Sequence, residues 1–394
     1  MKSSGTNQAL SQAGNRALVL RTLQHMKRAT RVELARRTGL KQATIGNIVK
    51  DFIDWGLLEE TGAVAGSKGR RAVGVQFAGG PYRVIALRLT RRDYTVGAFG
   101  LDGTEADGRV TMPIDGAPPK RVLEAACDAI NALVAAHPEW RVLAVGAAVP
   151  GAFFRDTGEI AMITAMPGWR DVRVREILEA RLSLPVVVDH DANAGAVAES
   201  ALVPERDMDE AMVYVSAGQG IGAGIVNGGE VYAGALGVAG EIGHTCVDVH
   251  GALCECGRRG CLTQYVSTLA LARDVGARLG TDAMTFEEAA ERVRAGEPEA
   301  AAAFTNLLTY LGAGVLNLVY AYNPARIVIG DALSTLGQPL LDGLDSQLRS
   351  MRVMRLAEHV KLELARLGPD SAYPGAAAIA ARYVFEHVGT MCGL

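Results

Sequence analysis

The sequence contains few aromatic residues and few cysteines, and it has no uninterrupted apolar run of membrane-spanning length. Aromatic residues make up 5% of its 394 residues, and six cysteines are too few for a disulfide scaffold in a chain of this size. The N-terminal segment lacks the apolar stretch of a secretory signal. We therefore expect a cytoplasmic protein without a membrane span, and the length predicts two or three domains.

The net charge of −3 conceals two parts of opposite charge. Residues 1–80 carry 13 basic and 5 acidic residues, whereas residues 81–394 carry 27 basic and 38 acidic residues. A small basic module joined to a large acidic body is typical of a polyanion-binding head on a soluble body, with chance clustering as the alternative. The charge distribution thus predicts a head of residues 1–80 and a body of residues 81–394.

Local signals in the head predict two short helices joined by a glycine turn. Thr30 and Glu33 have the spacing of a capping box that begins a helix, and Gly39 suits the residue that ends it. The next helix has an apolar stripe at helical spacing: Ile45, Ile48, Val49, Phe52 and Ile53. Its other face carries short polar side chains that we expect to contact the DNA major groove: Gln42, Thr44, Asn47 and Lys50.

A basic hairpin is predicted after these helices. Two strand-like segments, 57–60 and 72–77, flank the sequence GSKGRR at residues 66–71. This arrangement is typical of the wing of a winged helix-turn-helix domain, which would contact phosphates or the minor groove through Lys68, Arg70 and Arg71. The alternative is a plain three-helix bundle with a solvated face.

Strand-like and helical segments alternate in the body, which predicts an α/β sheet with helices on both faces. One strand, 185–188, ends at Asp189-His190-Asp191. Because ligands in such folds bind beyond the carboxyl ends of the strands, Asp191 is a candidate site residue. A long apolar helix at about 300–322 is expected to lie in the core, with a subunit contact as the alternative.

A glycine-rich segment, 216–224, follows another strand and is predicted to form a turn before the next strand, 225–226. Backbone N–H groups in such a turn could cradle a phosphate. The alternative is a simple tight turn, so the segment alone does not establish a phosphate site.

The strongest chemical signal is a set of potential metal ligands in a loop of residues 244–261. The ligands are His244, Cys254, Cys256 and Cys261. One imidazole and three thiolates fill a tetrahedral Zn²⁺ shell and leave no position for a reactive water. The pattern therefore predicts a structural zinc site, with Cys246 and His250 as rival ligands in the same loop.

As a group, these motifs resemble those of the ROK family, which comprises repressors, open reading frames and sugar kinases. The residues that carry the resemblance extend over nearly the whole chain: 31–40, Val149-Pro-Gly151, Asp191-Ala-Asn193, 218–224, Gly240-Glu-Ile-Gly-His244 and 254–261. The resemblance implies an actin-like body with two α/β lobes, a sugar in the cleft, and a homodimer or homotetramer. An N-terminal winged helix-turn-helix domain is typical of the repressor branch.

The resemblance also implies roles for individual residues. Asp191 matches the general base of the kinases, and His190 stands beside it where the kinases have Asn. Glu241 and His244 match contacts to sugar hydroxyls, and His244 also matches a zinc ligand. A sugar or sugar-derived effector is therefore expected at His190, Asp191, Glu241 and His244.

Several positions depart from the family pattern. Arg88 replaces the carboxylate that orients metal and nucleotide, Gln219 replaces a Thr of the phosphate turn, and Asp331 replaces the second residue of a glycine pair. Phosphotransfer is therefore not expected. On the sugar side, Ala165 and Thr263 replace two family contacts, which leaves the identity of the sugar open.

These observations predict a DNA-binding transcriptional regulator, a repressor, that binds double-stranded operator DNA as a symmetric oligomer and responds to a sugar. Asn47 stands where the family often has Arg, which favours an A·T-rich operator at that position because Asn pairs best with adenine. A ROK sugar kinase with an appended DNA-binding head is one alternative. A partner-docking scaffold with an inactive ligand site is another.

Overall fold

The computed structural model describes residues 8–64, 72–154, 157–163, 166–350 and 359–392. Within these ranges the chain forms a head with a three-stranded sheet and a body with two five-stranded sheets. The body therefore has the α/β, two-lobe architecture that the sequence predicts.

The head is built from three helices and three strands: α1 (Gln8–Met26), β1 (Arg28–Thr30), α2 (Arg31–Thr38), α3 (Gln42–Asp54), β2 (Leu58–Val64) and β3 (Ala72–Phe77). Its strands form an antiparallel sheet in the order β1-β3-β2. Helices α2 and α3 and the β2–β3 hairpin agree with the prediction, whereas β1 is absent from it. The predicted wing tip, with Lys68, Arg70 and Arg71, lies outside the described residues.

The capping box predicted at α2 is confirmed. The Thr30 hydroxyl accepts a hydrogen bond from the Glu33 backbone N–H at 3.2 Å, and the Glu33 carboxylate accepts one from the Thr30 N–H at 2.8 Å. Gly39 ends the helix at φ 70°, in the left-handed region that glycine adopts without strain. Of the apolar stripe of α3, Ile45, Ile48, Val49 and Phe52 are buried and Ile53 is partly buried.

The first lobe of the body carries a mixed sheet of order β10-β7-β4-β5-β6, in which β10, β7 and β4 are parallel. Its elements are β4 (Tyr82–Leu89), β5 (Asp93–Gly100), β6 (Val110–Pro113), α4 (Pro119–Ala136), β7 (Arg141–Val149), β8 (Ala152–Phe154), β9 (Glu159–Met162), α5 (Val174–Glu179), β10 (Val186–His190) and α6 (Asp191–Ala201). Strands β8 and β9 form a separate two-stranded sheet.

The second lobe carries a sheet of order β13-β12-β11-β14-β15. Its elements are β11 (Met212–Ala217), β12 (Ile221–Asn227), β13 (Glu230–Val231), α7 (Thr263–Val266), α8 (Thr268–Leu279), α9 (Phe286–Ala295), α10 (Pro298–Tyr322), β14 (Arg326–Gly330), α11 (Gln338–Ser350) and β15 (Lys361–Leu364). Two last helices, α12 (Ala372–Glu386) and α13 (Val388–Met391), return to the first lobe and the head.

The head shares a hydrophobic core with the first lobe. Buried residues of α1, α3 and β3 form one cluster with residues of β4 and α12. Phe77 of the head stacks on Phe385 of α12 with ring centroids 5.8 Å apart, and the Tyr82 hydroxyl donates to the Trp55 carbonyl at 3.1 Å. The head therefore docks on the body through a packed apolar contact.

Helix α10 corrects the expectation about long apolar segments. It spans 25 residues and is long and apolar enough to cross a membrane by length and composition. However, 56% of its most apolar window is buried inside the protein, where Leu307, Leu311, Val315 and Leu318 pack in the second-lobe core. This burial is typical of the core helix of a soluble domain, as the sequence predicts for residues 300–322.

A buried charge network joins α6 to the second lobe. The Glu199 carboxylate pairs with the Arg206 guanidinium at 2.8 Å, and Arg206 also lies 3.3 Å from Glu363 of β15. The other oxygen of Glu199 accepts hydrogen bonds from the Leu367 N–H at 2.9 Å and the Ser371 hydroxyl at 3.1 Å. These contacts compensate the cost of burying the Glu199 charge.

Replacing Arg206 by Ala should strongly destabilise the fold. Glu199 is fully buried, so the variant leaves an unpaired carboxylate in the interior, which costs about 3–5 kcal/mol. Arg278→Ala is the matched control because it breaks the half-exposed ion pair with Asp274, worth about 0.3–0.5 kcal/mol. Urea unfolding measures the free energy of unfolding of both variants. Equal losses of stability in Arg206→Ala and Arg278→Ala would contradict the assigned role of the network.

Candidate functional site

The four predicted effector-binding residues line one cavity between the lobes. His190 and Asp191 lie where β10 passes into α6, and Glu241 and His244 come from the loop after β13. The cavity has about 500 Å³ of empty space. The arrangement follows from the parallel strands, whose carboxyl ends meet at one edge of the sheet.

Polar groups converge in this cavity. His190 Nε2 lies 3.3 Å from an Asp191 oxygen and 3.9 Å from a Glu241 oxygen. The Asp189 carboxylate accepts hydrogen bonds at 2.8 Å from the His190 N–H and the Asn193 amide, which fixes the start of α6. Carboxylate and imidazole groups placed in this way suit a ligand with several hydroxyl groups.

Arg91 is a cavity residue that the sequence analysis did not identify. Its guanidinium lies so close to Gly220 that a Cβ atom there would be 2.7 Å from Nη2. Burial lowers the pKa of Arg91, while the nearby carboxylates Asp191 and Asp331 act against this shift. Arg91 follows Arg88 by only three residues, and this local cluster of basic residues was the available signal.

Thr263 also lines the cavity, as its match to a family sugar contact predicts. Ala165, the other altered sugar position, lies outside the described residues. The cavity wall thus offers a hydroxyl at residue 263 where the family pattern has a carboxylate.

The structure corrects the predicted glycine-rich turn. Strand β12 begins at Ile221, four residues before the predicted start, so only Gly218, Gln219 and Gly220 form the turn. Gly222 lies in the strand, where a Cβ atom would be 2.8 Å from His190 Cε1. This glycine therefore allows close packing of β12 against the start of α6 and is not part of a phosphate cradle.

A second cavity adjoins the first and holds three positions that depart from the family pattern. It contains Arg88, Asp331 and Gln219 and has about 780 Å³ of empty space. Arg88 Nε pairs with Asp370 at 2.7 Å, and the Gln219 side-chain amide lies beside the Arg92 guanidinium. Arg88 and Gln219 thus have polar neighbours on this side of the cleft.

Asp331 places a carboxylate directly against the turn at Gly218. It accepts hydrogen bonds from the Ser216 hydroxyl at 3.1 Å and the Ala332 N–H at 2.7 Å. Its φ of 60° lies in the region that glycine prefers, at a cost of about 1–3 kcal/mol for a residue with a side chain. Burial raises the pKa of this carboxyl, and the Arg88 guanidinium opposes the shift. The carboxyl therefore fills the space beside the Gly218 turn.

The predicted metal ligands lie together. One ligand atom from each of His244, Cys254, Cys256 and Cys261 falls within 4.8 Å of all the others. The Cys254 Sγ–His244 Nδ1 distance is 3.7 Å and the Cys256 Sγ–Cys261 Sγ distance is 3.5 Å. Tetrahedral zinc bonded to sulfur and nitrogen at about 2.0–2.3 Å requires ligand separations of about 3.3–3.8 Å, and these two distances lie in that range. The cluster is therefore a candidate site for a metal ion such as Zn²⁺.

Backbone pairing holds this loop closed. The Val247 N–H donates to the Gly260 carbonyl at 2.8 Å, and the Cys254 N–H donates to the Arg258 carbonyl at 2.8 Å. Burial lowers the pKa of His244, which favours the neutral imidazole that binds metal. Among the residues that the structure describes, neither Cys246 nor His250 belongs to the ligand cluster.

The α3 face predicted to contact DNA is solvent-accessible. Gln42, Asn47 and Lys50 are exposed, and Thr44 is half-buried. Lys50 pairs with Asp54 at 2.6 Å, and a Cβ atom at Gly46, between Thr44 and Asn47, would meet no heavy atom within 4 Å. This face of α3 is therefore polar and open at Gly46.

The ROK family model matches residues 85–383, which is more than half of the chain. The chain belongs to the ROK family. The match begins in β4 and ends in α12, so the ROK part is the two-lobe body, and the head precedes it.

This ROK protein is similar to transcriptional regulators over nearly its full length. The xylose repressor of Caldicellulosiruptor bescii is 26% identical, over 92% of this chain and 94% of its own length. The DNA-binding transcriptional dual regulator NagC of Escherichia coli K12 is 25% identical, over 95% of this chain and 94% of its own length. Coverage this high includes most of the head as well as the body.

Among solved structures, a regulator matches more of this chain than a kinase does. A ROK family transcriptional regulator, a homolog of the E. coli MLC protein, has a TM-score of 0.81 at 26% identity and covers 97% of this chain and 99% of its own. A ROK family glucokinase from Streptomyces griseus, in complex with glucose and AMPPNP, has a TM-score of 0.67 at 28% identity. The match covers 99% of the glucokinase chain but 76% of this chain. The body thus has the actin-like fold of ROK regulators and kinases.

Proposed function

We propose that the protein is a DNA-binding transcriptional repressor whose ROK body binds a sugar or sugar-derived effector that modulates operator binding. The observation that carries the proposal is the likeness to ROK regulators across head and body, whereas the ROK glucokinase leaves about a quarter of this chain unmatched. The exposed polar face of α3 supplies a DNA-reading surface, and the cavity at Asp191 supplies an effector site.

In this proposal the head reads double-stranded operator DNA. The α3 residues Gln42, Thr44, Asn47 and Lys50 contact the major groove. The wing residues Lys68, Arg70 and Arg71, which lie outside the described residues, contact phosphates or the minor groove. Because operators for such heads are paired half-sites, the protein acts as a homodimer or homotetramer.

The effector occupies the cavity formed by His190, Asp191, Glu241 and His244. Relatives are named for xylose and for N-acetylglucosamine, which supports a sugar as the ligand class. His244, Cys254, Cys256 and Cys261 hold a structural Zn²⁺, which fixes the loop that presents Glu241 and His244 to the ligand. A closed four-ligand shell supplies rigidity and leaves no position for metal-bound water.

The body is not expected to catalyse phosphotransfer. The Arg88–Asp370 pair and the Asp331 carboxylate occupy the side of the cleft where a kinase would bind nucleotide phosphates. Coupled assays of ADP release with D-glucose, D-xylose and N-acetylglucosamine should therefore show no turnover above background. Asp191→Asn is the control, since turnover that this variant abolishes would establish the kinase alternative.

The regulator proposal is tested by recovering genomic DNA fragments on the purified full-length protein, with and without D-xylose, D-glucose or N-acetylglucosamine. We expect a small set of fragments with a shared inverted repeat, whose recovery changes with one sugar. Recovery of random fragments in every condition would contradict operator recognition.

A further inference from the structure

Helix α6 runs from the effector cavity to the head. Asp191 is the first residue of the helix and lines the cavity. Ser200 and Ala201 are the last two residues of the helix. Its 11 residues give a length of about 16 Å. All residues of α6 after Asp191 are buried.

The sides of α6 are held by close backbone contacts with other elements. Gly224 of β12 lies against the backbone of Ala192, and Gly375 of α12 lies against the backbone of Ala194, so a side chain at either glycine would overlap α6. Elements that meet without intervening side chains have little room to deform separately. A displacement at the start of α6 is therefore passed along the helix.

His25 of α1 contacts the far end of α6. The imidazole is 5% exposed, and the nearby backbone of Ala201, Arg206 and Ser200 acts against the lowering of its pKa by burial. Its buried Nδ1 has no hydrogen-bond partner. The ring thus connects the DNA-binding head to the carbonyl end of α6.

Neighbouring residues of α1 reach the same region through one turn of the first lobe. Gln24 donates to the Leu101 carbonyl at 2.7 Å, and Lys27 donates to the Asp102 carbonyl at 2.7 Å. In that turn, a Cβ atom at Gly103 would lie 2.5 Å from a methyl carbon of Leu202, the residue that follows α6. The end of α6 therefore touches α1 directly and through this turn.

Space for movement exists beside this contact. A cavity with about 600 Å³ of empty space lies between α1 and the loop 207–209, and His25 and Thr22 line it. The side of α1 that carries His25 is therefore not fully packed against the body.

We propose that α6 transmits the state of the effector cavity to the DNA-binding head, with His25 as the positioning residue that couples the helix to α1. This proposal rests on the proposed function only in naming a sugar as the ligand of the cavity and DNA as the ligand of the head. The mechanical coupling itself is a property of the free protein and is tested without sugar or DNA.

The test uses hydrogen exchange of the full-length protein, followed by mass spectrometry of peptides covering residues 18–27. Gly222→Ala serves as the perturbation, because its methyl group would meet His190 at the start of α6. We expect at least a threefold change in exchange rate in these peptides, and loss of this response when His25→Ala is added. His25→Gln, which keeps a polar side chain of similar length beside the end of α6, should restore the response.

Gly314→Ala is the matched control. Its methyl group would meet Leu262 at 2.6 Å, a similar overlap in the second-lobe core away from α6, so the α1 peptides should exchange as in the wild type. If Gly222→Ala does not fold, Asp191→Asn perturbs the same end of α6 without adding volume. Unchanged exchange in α1 for the folded cavity variant, or a response that persists in the His25→Ala background, would overturn the proposal. Neither result bears on DNA or sugar binding, which are measured separately.

Discussion

Replacing Cys261 by Ser should remove the metal from the purified protein and unfold the loop of residues 244–261. Cys261 is fully buried, and its sulfur lies 3.5 Å from that of Cys256. Structural zinc sites contribute apparent binding free energies of about 10–16 kcal/mol, and loss of one thiolate removes a large part of this. We expect zinc content, measured by plasma mass spectrometry, to fall at least tenfold from one ion per chain.

Cys246→Ser is the matched control for this prediction. Cys246 lies in the same loop and pairs with Cys261 through the backbone, but it is outside the ligand cluster. Zinc content should therefore be unchanged in Cys246→Ser. Full zinc content in Cys261→Ser, or loss of zinc in Cys246→Ser, would show that the ligand set is wrong.

The zinc variant should also weaken the effector site. His244 belongs both to the metal cluster and to the cavity wall, and the Leu262 N–H donates to the Thr245 carbonyl next to it at 2.9 Å. Loss of the metal therefore releases a ligand-facing residue together with the loop. Calorimetry with the sugar selected in the DNA-recovery experiment should show at least tenfold weaker binding by Cys261→Ser than by the wild type.

Replacing Asn47 by Ala should abolish most of the discrimination between operator and random DNA. Asn47 is exposed near the middle of α3, and one bidentate base contact is worth about 1–3 kcal/mol. We therefore expect about 10- to 100-fold weaker binding to the selected operator and little change with a random duplex. Fluorescence anisotropy at fixed salt measures both affinities.

Gln42→Ala and Gln12→Ala form a matched pair for the same measurement. Both glutamines are exposed on helices of the head, but only Gln42 lies on the face assigned to DNA. Operator affinity should fall in Gln42→Ala and stay unchanged in Gln12→Ala. Equal behaviour of the two variants would show that α3 does not read the operator through this face.

The double variant with Arg70→Ala and Arg71→Ala tests the wing through the salt dependence of DNA binding. Each lost phosphate contact lowers the slope of log affinity against log salt by about 0.9. Two contacts would therefore reduce the slope by about 1.8, and binding to operator and random DNA should weaken alike. An unchanged slope would exclude the wing from the DNA contact.

Local sequence signals predicted the elements that depend on neighbouring residues. The capping box of Thr30 and Glu33 and the stripe of α3 are set by contacts within a few residues, so their spacing was sufficient. The metal cluster was also predictable, because three of its ligands fall within eight residues and the fourth precedes them by ten. The same applies to the strand-to-helix junction at Asp191.

Contacts between distant segments could not be predicted in this way. The partner of Arg88 is Asp370, which is 282 residues away, and nothing in the sequence around Arg88 indicates it. Gly222 of β12 packs on His190, a contact between distant segments that exists only in the folded body. The contact of His25 with the end of α6 likewise depends on how the head docks.

The central claim is that a DNA-reading head is coupled to a zinc-bearing sugar cavity in one ROK protein. Its most direct test is the affinity of the full-length, zinc-loaded protein for its selected operator, measured by fluorescence anisotropy with and without the sugar that changed DNA recovery. We expect specific binding that shifts about 5- to 150-fold on addition of sugar, the usual range of allosteric coupling. Equal affinity for operator and random DNA, with no change on adding any of the three sugars, would contradict the claim.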